Sequence, residues 1–399
     1  MRADIAILGG GIIGSSIAWH LAASGKAGRV VVVERDPTYE FAATPRANGG
    51  IRLLFSLPEN IAMARYGRDF YAGFAERMAI DGAPADIAFR RQGYLFLSDN
   101  GGARQMEANH RFQVAQGVEA ELLDPEGIRA LFPSVAVDDV DLAVYSPNDA
   151  WIDPYSALMG FRAKARSLGI DYVKGDIAGW DAAATGAGAV RLADGGTVEA
   201  DTYVLACGAW SRDVAAMIGL DLPVEPMSRE SYVFKAEAEI EPLPFLKSES
   251  DLAIRPEGDG FVGGIPDWSQ AAGWNFELDP DRFESVVWPA LARRVPKMER
   301  LKLVRSWRGH YARSILDYSP IIGPWSDGLA NVVIATGFSG HGEPRPLLLC
   351  LGPHPGQPPV SRDGDRLNAK GRPEGRPASC DPESPDQRWA STFSALETS

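Results

Sequence analysis

The chain has 399 residues, 45% hydrophobic and 23% charged, the composition of a globular protein with core enough for about two to three domains. Its formal net charge of −13 repels phosphate backbones and argues against nucleic-acid binding. No apolar run approaches the roughly twenty residues of a membrane span, and Cys207, Cys350 and Cys380 show neither metal-ligand spacing nor a disulfide framework, so no metal is expected and a reducing, cytoplasmic setting is.

DIAIL (4–8) reads as a buried strand that runs straight into glycines, leaving no room for a signal peptide. IIGSSIAWHLAASG follows as a helix, with Ile13, Ile17 and Leu21 near helical spacing and Gly25 past its end. RVVVVE (29–34) is a β-branched run suited to a strand buried on both faces, which completes a βαβ unit. Residues 59–78 read as a helix, 92–98 as a strand, ARQMEANHRFQVAQG as a helix and DPEGIRALFP as a helical turn. Residues 153–169 form another amphipathic helix behind an Asp-Pro start. GIDYVKGD, AVRLADGGTVEA and DTYVLACG read as strands, with a hairpin turn at Asp194-Gly195-Gly196. SYVFKAE, DLAIRPEGDGFVGGI and NVVIATG are further strands, and FESVVWPALARRV is a helix. From 343 to 399 proline, arginine, glycine and serine dominate, a composition that cannot order itself.

Gly9-x-Gly11-x-x-Gly14 sits between the first strand and the first helix. Gly9 permits the tight turn, Gly11 lets a pyrophosphate approach the backbone, and Gly14 lets helix and strand pack closely. Phosphates would meet the N–H groups at the helix start, around Ile12 and Ile13. Glu34 ends the second strand, where a carboxylate can accept from ribose hydroxyls. This predicts a dinucleotide site.

Four stretches carry a resemblance to a known family. ILGGGIIGSSIAWHLA…VVVVER, which includes Arg35, resembles an N-terminal FAD fingerprint. TPRANGGIRLLFS (44–56) resembles a loop lying over a flavin ring. YVLACGAWS (203–211) resembles a strand and Gly-Ala-Trp turn beside the cofactor. SPIIGP…NVVIATGFSGHG (319–342) resembles a C-terminal flavin signature. Together they resemble the FAD-dependent amino-acid oxidase superfamily, in the branch of sarcosine oxidase, glycine oxidase and dimethylglycine dehydrogenase. The mitochondrial FAD-dependent oxidoreductase domain-containing proteins carry a similar ATGFSGHG. The resemblance covers residues 1–342.

It implies an α/β, two-domain flavoprotein: a Rossmann-like FAD-binding domain from residues 1–80, 141–220 and 315–342, and a substrate domain with a mixed or antiparallel sheet from 81–140 and 221–314. It implies that Arg46, Asn48, Gly49, Gly50 and Arg52 lie near the flavin, with Arg52 the arginine that stabilises the reduced ring. Gly208 and Trp210 would flank the cofactor. Gly337, Ser339, Gly340, His341 and Gly342 would present amides to the pyrimidine end, with His341 a structural hydrogen-bonder. Tyr311 would line the substrate pocket, with His310 beside it as a polar wall, and Arg255 would pair with a substrate carboxylate. Tyr232 is a weaker candidate, and Trp268 and Trp307 read as core.

Three departures matter. Monomeric sarcosine oxidases attach flavin through a cysteine just before the tyrosine matched by Tyr311; here Arg308, Gly309 and His310 stand there, so the FAD is expected to be non-covalent. The lysine that promotes reaction with oxygen falls near Val262, which counts against oxygen as the natural acceptor and leaves the electrons to pass to oxygen or to a protein acceptor. A carboxylate-binding arginine becomes Phe55, so free amino-acid specificity does not carry over. The expected activity is oxidation of a small secondary or N-methylated amine, or an amino acid, by hydride transfer to flavin; the alternatives are an assembly or scaffold flavoprotein and a truncated inactive product. The C-terminal helix of relatives is replaced by a run through Pro344, Pro346, Pro353, Pro355, Pro358 and Pro359, which forbids a long helix. A frameshift after Gly342 or a genuine interaction tail would produce it.

Overall fold

A computed structural model describes residues 1–183, 186–325 and 329–340. His341, Gly342 and the 343–399 tail lie outside the described residues.

The strand Arg2–Leu8 is the centre of the first sheet. It pairs in parallel with Thr197–Leu205 on one side and Val30–Glu34 on the other. The sheet extends in parallel through Asp171–Lys174 and, beyond Thr197–Leu205, through Val332–Thr336. The VVVV run is buried on both faces: Val30 and Val32 lie on the helix side, and Val31 and Val33 share a cluster with Trp180, Val190 and Leu192 of the antiparallel hairpin. Ile17, Ala18 and Ala165, from the helices Ile12–Ser24 and Pro154–Ser167, pack with Val30, Val32 and Val204. At the opposite edge, Gly186–Leu192 folds back on Thr197–Leu205 through the Asp194-Gly195-Gly196 turn, with Gly195 at φ +87.

The second sheet has eight strands among the described residues. Leu301–Ser314 lies at one edge, then Val224–Ala236, Gly260–Gly264, Ala253–Glu257, Phe245–Ser248, Tyr94–Ser98, Leu142–Ser146 and Glu121–Leu123. Only Phe245–Ser248 and Tyr94–Ser98 run parallel within it. Leu95, Phe234, Leu246, Ile254, Leu291 and Val295 form its core. Leu142–Ser146 falls inside the segment expected in the FAD-binding unit, yet its backbone bonds to Tyr94–Ser98. The mixed α/β class stands as expected.

Two local differences have physical causes. FESVVWPALARRV begins as a π-turn, Phe283–Val287, before the α-helix Trp288–Arg294; Pro289 offers no N–H to the normal ladder. The long strand Leu301–Ser314 was not foreseen. Its outer residues Lys302, Leu303, Val304 and Arg305 are all exposed, so no inside-outside alternation marks that half. Among the described residues no helix is long and apolar enough to cross a membrane.

Candidate functional site

A cavity of about 600 Å³ is lined by residues of both sheets, a size typical of small-molecule and cofactor sites. At its first end the chain leaves Arg2–Leu8 through Gly9, at φ +100; a Cβ there would lie 2.4 Å from Ala206 O. Gly14 does not line the cavity: a Cβ on it would lie 1.9 Å from Gly9 O, so its role is to seat the helix on the turn. Gly11 caps the helix without a side chain, and Gly11, Ile12 and Ile13 line the cavity. Ile12 N–H donates to Thr44 Oγ1 at 3.3 Å. Glu34 accepts from Gly10 N–H at 2.7 Å and from Asp36 N–H at 2.8 Å. Burial pushes its carboxyl up, and those two N–H groups pull it back. The Arg35 guanidinium lies 4.3 Å over the Trp210 ring. Gly208 lines the same wall and accepts from Thr336 Oγ1.

The loop after Thr44 threads a narrow gap. A Cβ on Gly49 would meet Ile152 O at 2.1 Å, and one on Gly50 would meet Tyr94 Oη at 1.6 Å. Arg46 lines the cavity but spends its donors on Glu40 O and Arg308 O, tying the loop to the long edge strand. Arg52 also lines the cavity, 5% exposed, its guanidinium 4.8 Å over Phe55 and 5.6 Å over Phe96. Asn48 lines it too, and its buried Oδ1 has no partner among the described residues.

Arg255 differs from expectation. It does not line the cavity: Nε donates to Asn48 O at 2.6 Å, and Nη1 to Pro256 O at 2.8 Å and to Glu257. Nε braces the 44–52 loop and Nη1 is held by its own strand, so the side chain is tied down outside the cavity.

Asp149 accepts Leu53 N–H through both carboxylate oxygens, at 3.2 and 3.1 Å, and so fixes the residue next to Arg52. Burial raises its pKa to about 7, against the pull of Leu53 N–H, Ser146, Arg68 and Arg52. Burial likewise raises Glu249 to about 7. Both folded values exceed those of the unfolded chain, near 4. The stability they contribute is full below about pH 4 and is lost as pH rises through about 7. The urea midpoint should therefore fall between pH 5 and pH 8.5, and Asp149→Asn should flatten that fall in denaturation curves across the range.

At the far end, Tyr311 and His310 come from Leu301–Ser314 and sit opposite Met227 and Ser228; both line the cavity. Gly309 and Arg308 sit opposite Arg229 and Glu230. Arg308 and Glu230 form an ion pair, with side chains 2% and 3% exposed; Tyr232 Oη donates to the same carboxylate. His310 Nε2 accepts from Asn275 N–H at 3.0 Å, and its buried Nδ1 has no partner among the described residues. Burial, then Arg308 and Arg46, push its pKa down to about 4, so the ring is neutral at pH 7.

The terminal glycine turn closes the site. Ser339, at φ +49, donates its N–H to Ala312 O at 2.8 Å, and its Oγ accepts from Ser314 N–H at 2.9 Å. Ser339 and Gly340 line the cavity; Gly337, at φ +72, stands behind them. Among the described residues no group of His, Cys, Asp or Glu could hold a metal. Three features suit a long dinucleotide: a glycine cradle that side chains would fill, a helix start whose cap, Gly11, has no side chain to occupy its amides, and an amide oxygen on the loop left without a partner among the described residues.

Sequence reasoning missed Arg229. It lines the cavity, its guanidinium 4.3 Å from the Trp268 ring and 5.1 Å from the Tyr311 ring. Nη1 donates to Ser228 O, while the buried Nε and Nη2 have no partner among the described residues. Nothing in MSRESY marks it; only the pairing with Leu301–Ser314 does. Lys247, almost wholly buried and 5.7 Å over Phe96, was also missed, although a lysine within FLKS was a readable signal.

The model of the family described as "FAD dependent oxidoreductase" matches residues 4–343. FAD-dependent oxidoreductase domain-containing protein 1 of Bos taurus is 34% identical over 383 residues, covering 86% of this chain and 78% of that protein. Mitochondrial dimethylglycine dehydrogenase of Rattus norvegicus is 28% identical, covering 86% of this chain and 41% of that protein. Among solved structures, L-proline dehydrogenase from P. horikoshii is similar with a TM-score of 0.78 at 25% identity, covering 87% of this chain and 90% of that one. The fold also matches glycine oxidase from Geobacillus kaustophilus, with a TM-score of 0.77 at 21% identity, over 88% and 92% of the two chains. With the glycine cradle at its start and a family match along most of its length, the chain belongs to the FAD dependent oxidoreductase family, with FAD as its cofactor.

Proposed function

We propose that this oxidoreductase acts on a small amino acid or N-methylated amino acid, whose carboxylate rests on Arg229 and whose electrons pass to oxygen or a protein acceptor. Bound FAD, held non-covalently, supplies the hydride acceptor. The observation that carries the acid half of this reading is the Arg229 fork. A buried guanidinium with two nitrogens unengaged among the described residues is costly unless a ligand anion completes it. The Trp268 and Tyr311 rings both lie against it. The neutral His310 adds no second charge to compete for the carboxylate.

Toward the cofactor, the amides of Ile12 and Ile13 with the open backbone of Gly11 suit the pyrophosphate. Glu34 suits the ribose, and the charge of Arg52 suits a ring that becomes anionic on reduction. Relatives named as dimethylglycine dehydrogenase and L-proline dehydrogenase support an amine-bearing acid as substrate. The family match ends at residue 343, where the proline-rich stretch begins, which supports treating 343–399 as separate from the catalytic unit.

The test is anaerobic reduction of the FAD-loaded protein. N-methylglycine, N,N-dimethylglycine, glycine and L-proline are set against dimethylamine and pyrrolidine. At least one acid should bleach the flavin and its carboxylate-free counterpart should not. Arg229→Leu should weaken that acid about 100-fold, the loss of charged hydrogen bonds, with flavin content unchanged. Equal reduction by amines and acids would overturn the acid assignment. A yellow protein that no member of the panel reduces would favour an assembly role instead.

A further inference from the structure

The segment 265–282, between the strand Gly260–Gly264 and the π-turn at Phe283, forms a strap that lays Trp274 and Phe276 against the cavity-lining residues Trp210, Phe41 and His310. Gly273 N–H bonds Pro226 O at 2.9 Å, and Asp279 N–H bonds Glu230 Oε1 at 2.9 Å. Trp274 stacks on Trp210 with centroids 4.4 Å apart, and Phe276 meets Phe41 edge-on at 5.1 Å. The His310 ring lies against both strap aromatics, at 5.2 Å and 4.5 Å.

Between those rings the strap makes one polar contact with His310. Asn275 N–H is a donor, so His310 Nε2 must be its acceptor. In a neutral imidazole the proton then sits on Nδ1. That leaves a buried N–H donor with no acceptor among the described residues, in a side chain that lines the cavity. A buried donor without an acceptor costs free energy, and a native structure that keeps one calls for an explanation.

We propose that the strap, through Asn275, fixes His310 as its Nδ1–H tautomer, and that this N–H is a specificity-determining donor to an acceptor oxygen on the substrate. His310 is then a donor and not a base, because its remaining lone pair is committed to the strap. The inference rests on the cavity being the substrate site, and its tautomer half can fail or stand independently of that reading.

The experiment has two arms. In the first, the FAD-loaded protein carries ¹⁵N-labelled histidine, and His310 is assigned among the five imidazoles by its disappearance in His310→Asn. At pH 7.5 its Nδ1 should be protonated and its Nε2 bare. A protonated Nε2, or an imidazolium, overturns the proposal whatever the enzyme oxidises. In the second arm, the dissociation constant of N-methylglycine is read from the flavin spectrum as it is mixed anaerobically. His310→Asn keeps an N–H donor where Nδ1 lies and should bind within about 3-fold of wild type. His310→Gln keeps an acceptor for Asn275 where Nε2 lies but loses the donor, and should bind about 10-fold more weakly. Equal loss in both variants, or loss in neither, overturns the donor role. Failure of N-methylglycine to bind the wild type overturns the donor assignment for this acid and leaves the tautomer arm to stand on its own.

Discussion

Gly14→Ala yields a protein that takes up less than about a tenth of the wild-type flavin. The new methyl would sit 1.9 Å from Gly9 O and 3.3 Å from Ile7 Cγ2. Carbon and oxygen in contact need more than about 3 Å, so helix and turn must part by about 1 Å. The turn cannot retreat, because Gly9 is itself pressed on the backbone of Ala206. The helix Ile12–Ser24 has to move, and it takes the Ile12 and Ile13 amides with it. Overpacking of this kind costs about 1–3 kcal/mol or more in stability besides the lost cofactor. Gly11→Ala separates the two effects. Its nearest neighbour would be Thr44 Oγ1 at 3.8 Å, so the fold tolerates the methyl. The methyl would stand where phosphate oxygens approach the backbone. Absorbance per mole of protein and a urea curve for each variant check both expectations: Gly11→Ala weakens flavin uptake with an unchanged midpoint, and Gly14→Ala lowers both.

Glu230→Ala destabilises the fold by about 3–5 kcal/mol, because it leaves the Arg308 charge buried and alone. The carboxylate receives Arg308 Nε at 3.0 Å, Asp279 N–H at 2.9 Å and the hydroxyl of Tyr232. Removing it orphans all three donors at once. Glu230→Leu combined with Arg308→Met should recover most of the loss, since an apolar pair of similar volume replaces two desolvated charges. A urea double-mutant cycle reads the coupling directly. A Glu230→Ala midpoint equal to wild type would mean that water reaches Arg308.

How much of this was legible depended on how local each signal was. The βαβ unit could be read because DIAIL, the glycines and VVVVE are consecutive and their roles are local. Glu34 followed from its place at a strand end. The long pairing of Val224–Ala236 with Leu301–Ser314 was not legible, because its outer residues are exposed on both faces and its partners lie far apart in sequence. Arg229 was hidden for the same reason: its surroundings are made by Trp268 and Tyr311, from other segments. Arg255 misled because an arginine in an apolar strand reads alike whether it faces a ligand or ties down a loop. Only the carbonyls of Asn48 and Pro256 distinguish the two.

The order of strands in the first sheet bears on how the protein is made. Its central strand, Arg2–Leu8, leaves the ribosome well before Thr197–Leu205, the neighbour it waits for, and that strand waits in turn for Val332–Thr336. Such distant pairings close slowly and leave sticky edges bare meanwhile. The nascent chain should therefore depend on chaperones until Val332–Thr336 has emerged, and flavin capture should wait for that strand.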